Sequence, residues 1–385
     1  MIYYKNYSGP RPIKSKKGMK FTITREALLK PLQLVAGVVE RRQTLPVLSN
    51  VLLDVCGEKL SLTGTDLEVE MIGRAPLLEA GVDGAVTVPA KKLMDICKSL
   101  PDQSTIVISQ DEHRVQLQAG RSKFVLSSLP ANEFPNVDDI EANVSFTLPQ
   151  AKVRRVVDNT AFAMAQQDVR YYLNGLLLEV TASELRAVAT DGHRLATCGV
   201  EIDLDVEGKT QVIVPRKAVL EMAKLMTSPE DTVELSLSSN HIRAQVGEYT
   251  FTSKLVDGKF PDYERVIPRN GNRTLLADRQ ALRQVFARTA ILSNEKYRGV
   301  RLLLADNNLQ VVANNPEQEQ AEESIGVEFQ GEDLEIGFNV SYLQDVLSIL
   351  NGDDMKMTLG DANSSAIMEE VEGGDSLYVV MPMRL

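Results

Sequence analysis

The residues of this chain that could do chemistry gather at one polar corner. Thr190-Asp191-Gly192-His193-Arg194 sets an acid two positions from an imidazole, with Cys198 a short step further on. An imidazole oriented by a carboxylate can serve as a general base toward a thiol or a hydroxyl. Here only Gly192 separates the two groups, on what reads as a single turn. The sequence contains neither a Gly-x-Ser-x-Gly elbow nor a Gly-rich loop ahead of Lys-Ser/Thr. His113 and His241 fall in strand-like segments and make no metal-ligand spacing. The acid recurs in Thr65-Asp66 but gives way to Asn315 in Asn314-Asn315, so it is not kept throughout the chain. These residues point away from catalysis, a metal or a cofactor. They point toward an Asx turn, in which a short side chain takes backbone N–H groups at a strand end.

The elements that place the corner repeat with it. Leu176 to Val180, a polar turn, and Leu185 to Ala189 alternate as a β-hairpin does. The same outline surrounds Asp66 and Asn315, at steps of about 125 residues, one domain's length. Each copy opens with a short strand and an apolar-striped helix. Leu28, Leu32, Val35 and Val39 mark the first helix, from about Arg25 to Val39; Val153, Val156 and Val157 the second; Leu282, Val285 and Phe286 the third. A second strand and helix follow in each copy, at Val88-Pro89-Ala90, Val214-Pro215-Arg216 and Phe338-Asn339-Val340, and each copy closes on a strand. The expected fold is α+β: three similar domains, each two β-α-β-β-β units with two helices on one face. Their expected bounds are 19–143, 144–269 and 270–385, with residues 1–18 as a loose tail or an added extension.

The formal charge is −11, yet residues 1–18 carry five cations, no acid and no continuous apolar run, unlike a signal peptide. No stretch is long enough to span a bilayer. Cys56, Cys97 and Cys198 lack paired spacing, as expected of a reduced, cytoplasmic protein. Cations collect on the helices: Arg25, Lys30, Lys152, Arg154, Arg155, Arg279, Arg283 and Arg288 on the first of each pair, Lys91, Lys92, Lys98, Arg216, Lys217 and Lys224 on the second. A cationic face on an acidic protein suits a polyanion, but solvated helix faces look the same.

Several strings, in order, resemble the bacterial DNA polymerase sliding clamps, the beta subunits of the DNA polymerase III holoenzyme. They include Leu62-Thr63-Gly64-Thr65-Asp66-Leu67-Glu68, Asp168-Val169-Arg170-Tyr171-Tyr172-Leu173-Asn174-Gly175 and Ala189-Thr190-Asp191-Gly192-His193-Arg194-Leu195. Lys254 to Tyr263, Ile291 to Val300 and the terminal Tyr378 to Leu385 extend the match from Met19 to the last residue. The resemblance implies a processivity factor without catalysis: a head-to-tail homodimeric ring whose helices line a hole for double-stranded DNA. It also implies short linear peptides of the replicative polymerase, the clamp loader, other polymerases and repair proteins as partners, and no membrane.

The resemblance maps the peptide pocket onto Leu173, Thr190, Gly192, His193, Arg194, Leu195, Pro261, Val266, Val379 and Met381. Arg170, Asn339, Tyr342, Ser365, Pro382, Met383 and Arg384 fall to a neighbouring part. A Val-Val-Met-Pro-Met tail is too apolar for a free terminus, and methionine makes an adaptable surface. Sequence-independent DNA contacts fall to Arg42, Gln167, Tyr171, Tyr172, Lys217, Arg265 and Tyr297. For the subunit contact, basic Arg114, Arg121 and Lys123 surround Phe124 and Leu126 in the first copy. In the third copy Glu317, Glu319, Glu322 and Glu323 accompany Ile291 and Leu292. Phe124 and Leu126 facing Ile291 and Leu292 would form the apolar centre, with opposite charges setting register.

Overall fold

The computed structural model describes residues 18–40, 45–135 and 140–384. The fold is α+β. Among the described residues the order β-α-β-β-β recurs six times, two per repeat, with three short strands added. Of the described residues, those from 18 to 143 with 233–253 form one compact unit, and 144–232 with 254–384 a second.

In unit 1, strand Lys20–Thr24 leads into α1 (Arg25–Val38), and Gly84–Pro89 into α2 (Ala90–Ser99). Leu28, Leu32 and Val35 recur at helical spacing and are fully buried, while Thr24 Oγ1 caps the helix by accepting Ala27 N at 3.2 Å. α1 packs on α2 and on strands Lys59–Thr65 and Val69–Pro76. Gly64 permits that approach, since a Cβ there would sit 2.8 Å from both Val35 Cγ1 and Val35 O. One sheet runs Glu79–Val82, Lys20–Thr24, Thr105–Asp111, Arg114–Ala119 and the edge strand Ser122–Ser127. In the other, Gly84–Pro89, Asn50–Cys56, Lys59–Thr65 and Val69–Pro76 follow in turn, and Tyr249–Lys254 pairs with the last from Tyr249↔Gly73 to Ser253↔Val69. That pairing draws 233–253 into unit 1.

Unit 2 carries α3 (Gln150–Asp158), α4 (Arg216–Ala223), α5 (Arg279–Thr289) and α6 (Val340–Ile349). α3 packs on α4 and α5 on α6. Its large sheet orders Thr210–Pro215, Gly175–Val180, Glu184–Thr190, Arg194–Glu201, Ser376–Val380, Ala366–Glu370, Asp354–Leu359, Arg273–Asp278 and Glu328–Gln330. The second and third repeats join in it where Arg194–Glu201 meets Ser376–Val380, with Leu195 opposite Val379. A smaller sheet has Gln320–Gly326 at its edge, followed by Asn308–Asn314, Gly299–Ala305 and Leu334–Asn339.

Several helix cations turn out to hold the fold. In every repeat an arginine of the first helix donates to a carbonyl in the last turn of the second: Arg25 Nε to Cys97 O at 2.9 Å, Arg154 Nη1 to Ala223 O at 2.9 Å, and Arg279 Nη1 to Leu347 O at 3.1 Å. Helix C-terminal carbonyls lack intrahelical donors and carry partial negative charge, so a guanidinium satisfies both needs. Arg155 pairs with Asp375 and Arg288 with Glu323, and Lys152 donates to Glu201 O at 2.6 Å. Summing helix cations as one polyanion face therefore overcounts.

Candidate functional site

The polar corner is a hydrogen-bonded turn. Asp191 Oδ1 accepts the backbone N–H groups of His193 at 2.9 Å and Arg194 at 3.0 Å. Thr190 Oγ1 accepts Gly192 N at 3.1 Å and donates to Arg194 O at 2.6 Å. Gly192 sits at φ 89°, where side chains are rarely accommodated, and a Cβ would lie 2.9 Å from the Arg170 guanidinium.

This turn aims Arg194. Its Nε donates to Asp191 Oδ2 at 3.1 Å, Nη1 to Asp345 Oδ2 at 2.5 Å, and Nη2 to Phe162 O at 2.9 Å. The guanidinium lies over the Tyr342 ring at 4.6 Å and the Phe162 ring at 5.2 Å, so a flat cation is held by both charge and aromatic faces. His193 stacks on Tyr342 at 6.5 Å, 18° from parallel. One corner of the second repeat is thereby tied to α6 of the third.

A cleft of about 340 Å³ opens here, lined by Met164, Ala165, Gln166, Asp168, Asp191, His193, Arg194 and Tyr342. Ala165 also belongs to a buried apolar cluster with Leu173, Leu177, Val188, Leu195, Ile213, Phe260, Tyr263 and Val379. The Asp168 carboxylate is clamped by Arg170, through Nε at 3.0 Å, Nη2 at 2.9 Å and the backbone N at 2.8 Å. The Arg170 side-chain bonds chiefly, with its backbone bond, hold Asp168 down at about 2. The chain end closes one side, with Met381 N donating to His193 O at 2.9 Å and Met383 N to Gly337 O at 2.8 Å. The Asp191 carboxylate is occupied by its turn and Arg194, so the arrangement is built for binding rather than reaction.

Models of the DNA polymerase III beta subunit match the chain in three consecutive pieces: the N-terminal domain over residues 19–138, the central domain over 147–262 and the C-terminal domain over 264–384. The chain belongs to this family. It is 62% identical to the beta sliding clamp of Pseudomonas putida over 367 residues, 95% of this chain and 100% of that one, and 52% identical to the Escherichia coli clamp over the same span. The solved sliding clamp of Pseudomonas aeruginosa bound to griselimycin superposes with a TM-score of 0.93 at 61% identity, covering 96% of this chain and 100% of that one. As a sliding clamp this family member is a processivity factor of DNA replication and carries out no catalysis.

His193, Arg194 and Tyr342, all implied for the pocket, line the cleft; Thr190 and Gly192 build its corner, and Arg170 clamps its acid. Leu173, Leu195 and Val379 are only 2–3% exposed, so they serve as core beside the cleft rather than as contact surface. Pro261, Val266 and Met381 are exposed apolar residues. Asn339 caps α6, its Oδ1 accepting Ser341 N at 2.9 Å. Ser365, Pro382 and Met383 are half-buried and Arg384 is exposed. The sequence reading missed Met164, Ala165 and Gln166 and left Asp168 out of the pocket. These follow the short 3-10 turn Ala161–Ala163 in irregular chain, where no periodicity marks a face.

The residues implied for DNA are scattered. Arg42 lies outside the described residues. Gln167 is exposed at φ 57°, Tyr171 is exposed and edge-on to half-buried Tyr172 at 5.8 Å, and Tyr297 is exposed with the Lys296 ammonium 5.2 Å from its ring. Lys217 is half-buried on α4, and Arg265 is ion-paired with Asp262 at 2.7 Å.

The residues expected at a subunit contact differ in exposure. Within the single chain Leu126 is 7% exposed and Phe124, on the same face of the strand, is half-buried, while neighbouring Val125 is 52% exposed. Strand alternation explains this, since residues one apart point to opposite faces. Arg114, Arg121 and Lys123 are exposed, as are Ile291 at 75% and Glu317; Leu292 is half-buried. Glu319 accepts from Asn315, Glu322 from Gln310 and Glu323 from Arg288, so three of the four acids already have partners within unit 2.

Proposed function

We propose that two copies join head to tail into a ring around double-stranded DNA, and that the cleft holds short linear peptides of the replicative polymerase, the clamp loader, other polymerases and repair proteins. The observation that carries the ring is a pair of open sheet edges. Ser122–Ser127 ends one sheet of unit 1 and bears Lys123, with Arg114 and Arg121 beside it. Gln320–Gly326 ends the small sheet of unit 2 and bears Glu322 and Glu323. An open edge invites another strand, and opposite charge selects which one. Phe124 and Leu126, two apart on one face of their strand, against Ile291 and Leu292 supply the apolar centre. Two copies of three domains, bounded at 19–143, 144–269 and 270–385, close the ring in the cytoplasm. DNA is held without regard to sequence by Arg42, Gln167, Tyr171, Tyr172, Lys217, Arg265 and Tyr297.

Solution mass combined with retention on circular but not linear DNA tests the ring. Ile291→Ala with Leu292→Ala should give monomers that leave circular DNA yet still bind griselimycin. A fully dimeric double variant would place the contact elsewhere.

A further inference from the structure

We infer that Glu179 and Tyr263 form a buried latch that positions one rim of the peptide cleft. Every residue of strand Gly175–Val180 is buried, and Glu179 is its one charged member, at 4% exposure. An unpaired carboxylate at such a site would be strongly disfavoured. Three donors satisfy this one: Tyr263 Oη at 2.8 Å, Lys209 Nζ at 2.6 Å and Gln211 Nε2. Burial alone would push the Glu179 carboxyl up, but Lys209, Tyr263 and Gln211 outweigh it and hold the group ionised below its ordinary value.

Tyr263 gives the latch its purpose. It opens the 3-10 turn Tyr263–Val266, and in the stretch from Phe260 to Val266 two side chains are anchored and the other five displayed. Phe260 and Tyr263 enter the apolar cluster that Ala165 shares with the cleft, while Pro261 and Val266 stand exposed. The Tyr263–Glu179 hydrogen bond fixes how deep the turn sits, and hence where Pro261 and Val266 stand. A buried hydrogen bond to an ionised group is both strong and directional. Glu179 and Tyr263 are therefore positioning residues that need not touch a ligand.

The inference rests on the cleft being the peptide site, so the test reads the two separately, with griselimycin as the probe on the full chain. Tyr263→Phe keeps the ring in the cluster and removes only the hydroxyl. It should weaken griselimycin about tenfold, mostly through faster dissociation, and speed amide exchange over residues 260–267 while strands Glu184–Thr190 and Arg194–Glu201 stay protected. Glu179→Gln keeps an acceptor for the hydroxyl but removes its charge and should weaken griselimycin about threefold, with faster exchange over residues 260–267, so it reads the latch if Tyr263→Phe fails to fold. Unchanged affinity and exchange in Tyr263→Phe would overturn the latch but leave the cleft assignment standing. A wild-type chain that does not bind griselimycin would instead overturn the cleft assignment. Faster exchange over the whole of unit 2 would show a general stability role and also overturn the latch.

Discussion

The corner at Thr65–Val69 in unit 1 and the corner at Thr190–Arg194 in unit 2 are built alike. Asp66 Oδ1 accepts Glu68 N at 2.9 Å and Val69 N at 2.7 Å; Thr65 Oγ1 accepts Leu67 N at 3.0 Å and donates to Val69 O at 2.8 Å. The corresponding bonds of Asp191 and Thr190 fall within a few tenths of an ångström of these. Even the left-handed position is shared, at φ 79° for Leu67 and 89° for Gly192. The last residue differs. Val69 is 2% exposed and closes a core, while Arg194 reaches across to Asp345, Phe162 and Tyr342 and walls a cleft. One backbone device is thus used once to close a core and once to wall a cleft, and the side chain hung on its final position decides which.

Removing that side chain should have the largest effect. Arg194→Ala strips a donor from Asp191, Asp345 and Phe162 O together, and griselimycin affinity should fall about a hundredfold. Chemical denaturation should show a loss of about 1–3 kcal/mol, because Asp345 is partly solvated and only part of the pairing energy is at stake. Val69→Ala, its counterpart, should cost about 1–3 kcal/mol through a cavity, with griselimycin binding unchanged. Equal loss of binding in both variants would break the contrast.

The left-handed residue gives a smaller, mirrored pair. Gly192→Ala places a Cβ at φ 89° against Arg170 and should destabilise by about 1–2 kcal/mol. Leu67→Gly removes the same strain where it is already present and should be neutral to stabilising by about 1 kcal/mol, since unfolded-state entropy offsets part of the relief. Thermal unfolding of the two variants reads the opposite signs directly.

The smallest effect is one of pH. Because Asp168 is held at about 2, its clamp on Arg170 should be complete above the ordinary carboxylate range and be lost as pH falls through about 2. Carboxyl-carbon NMR titration should show the Asp168 signal unmoved at pH 3.5, where an unperturbed aspartate is largely protonated.

The fold was largely legible because its signals are local and repeated. Helical spacing at Leu28, Leu32 and Val35 sets α1, and the threefold recurrence sets the strand order. The Asx turns were readable because Asp and Asn side chains reach only the next few amides. The cleft was less so. Met164 to Asp168 line it from irregular chain, and Leu173 and Val379 are core, a distinction that depends on tertiary packing rather than periodicity.

The three arginine bonds between helices change how this protein's charge should be understood. Arg25, Arg154 and Arg279 each have donors already committed to carbonyls of the neighbouring helix. A guanidinium bound this way works as a rivet. On the proposed DNA path it would add little drag, because fewer of its protons are left to bridge phosphates and its position cannot follow them. Grip and glide then become separate properties of the same residue type, set by which cations the fold has already used.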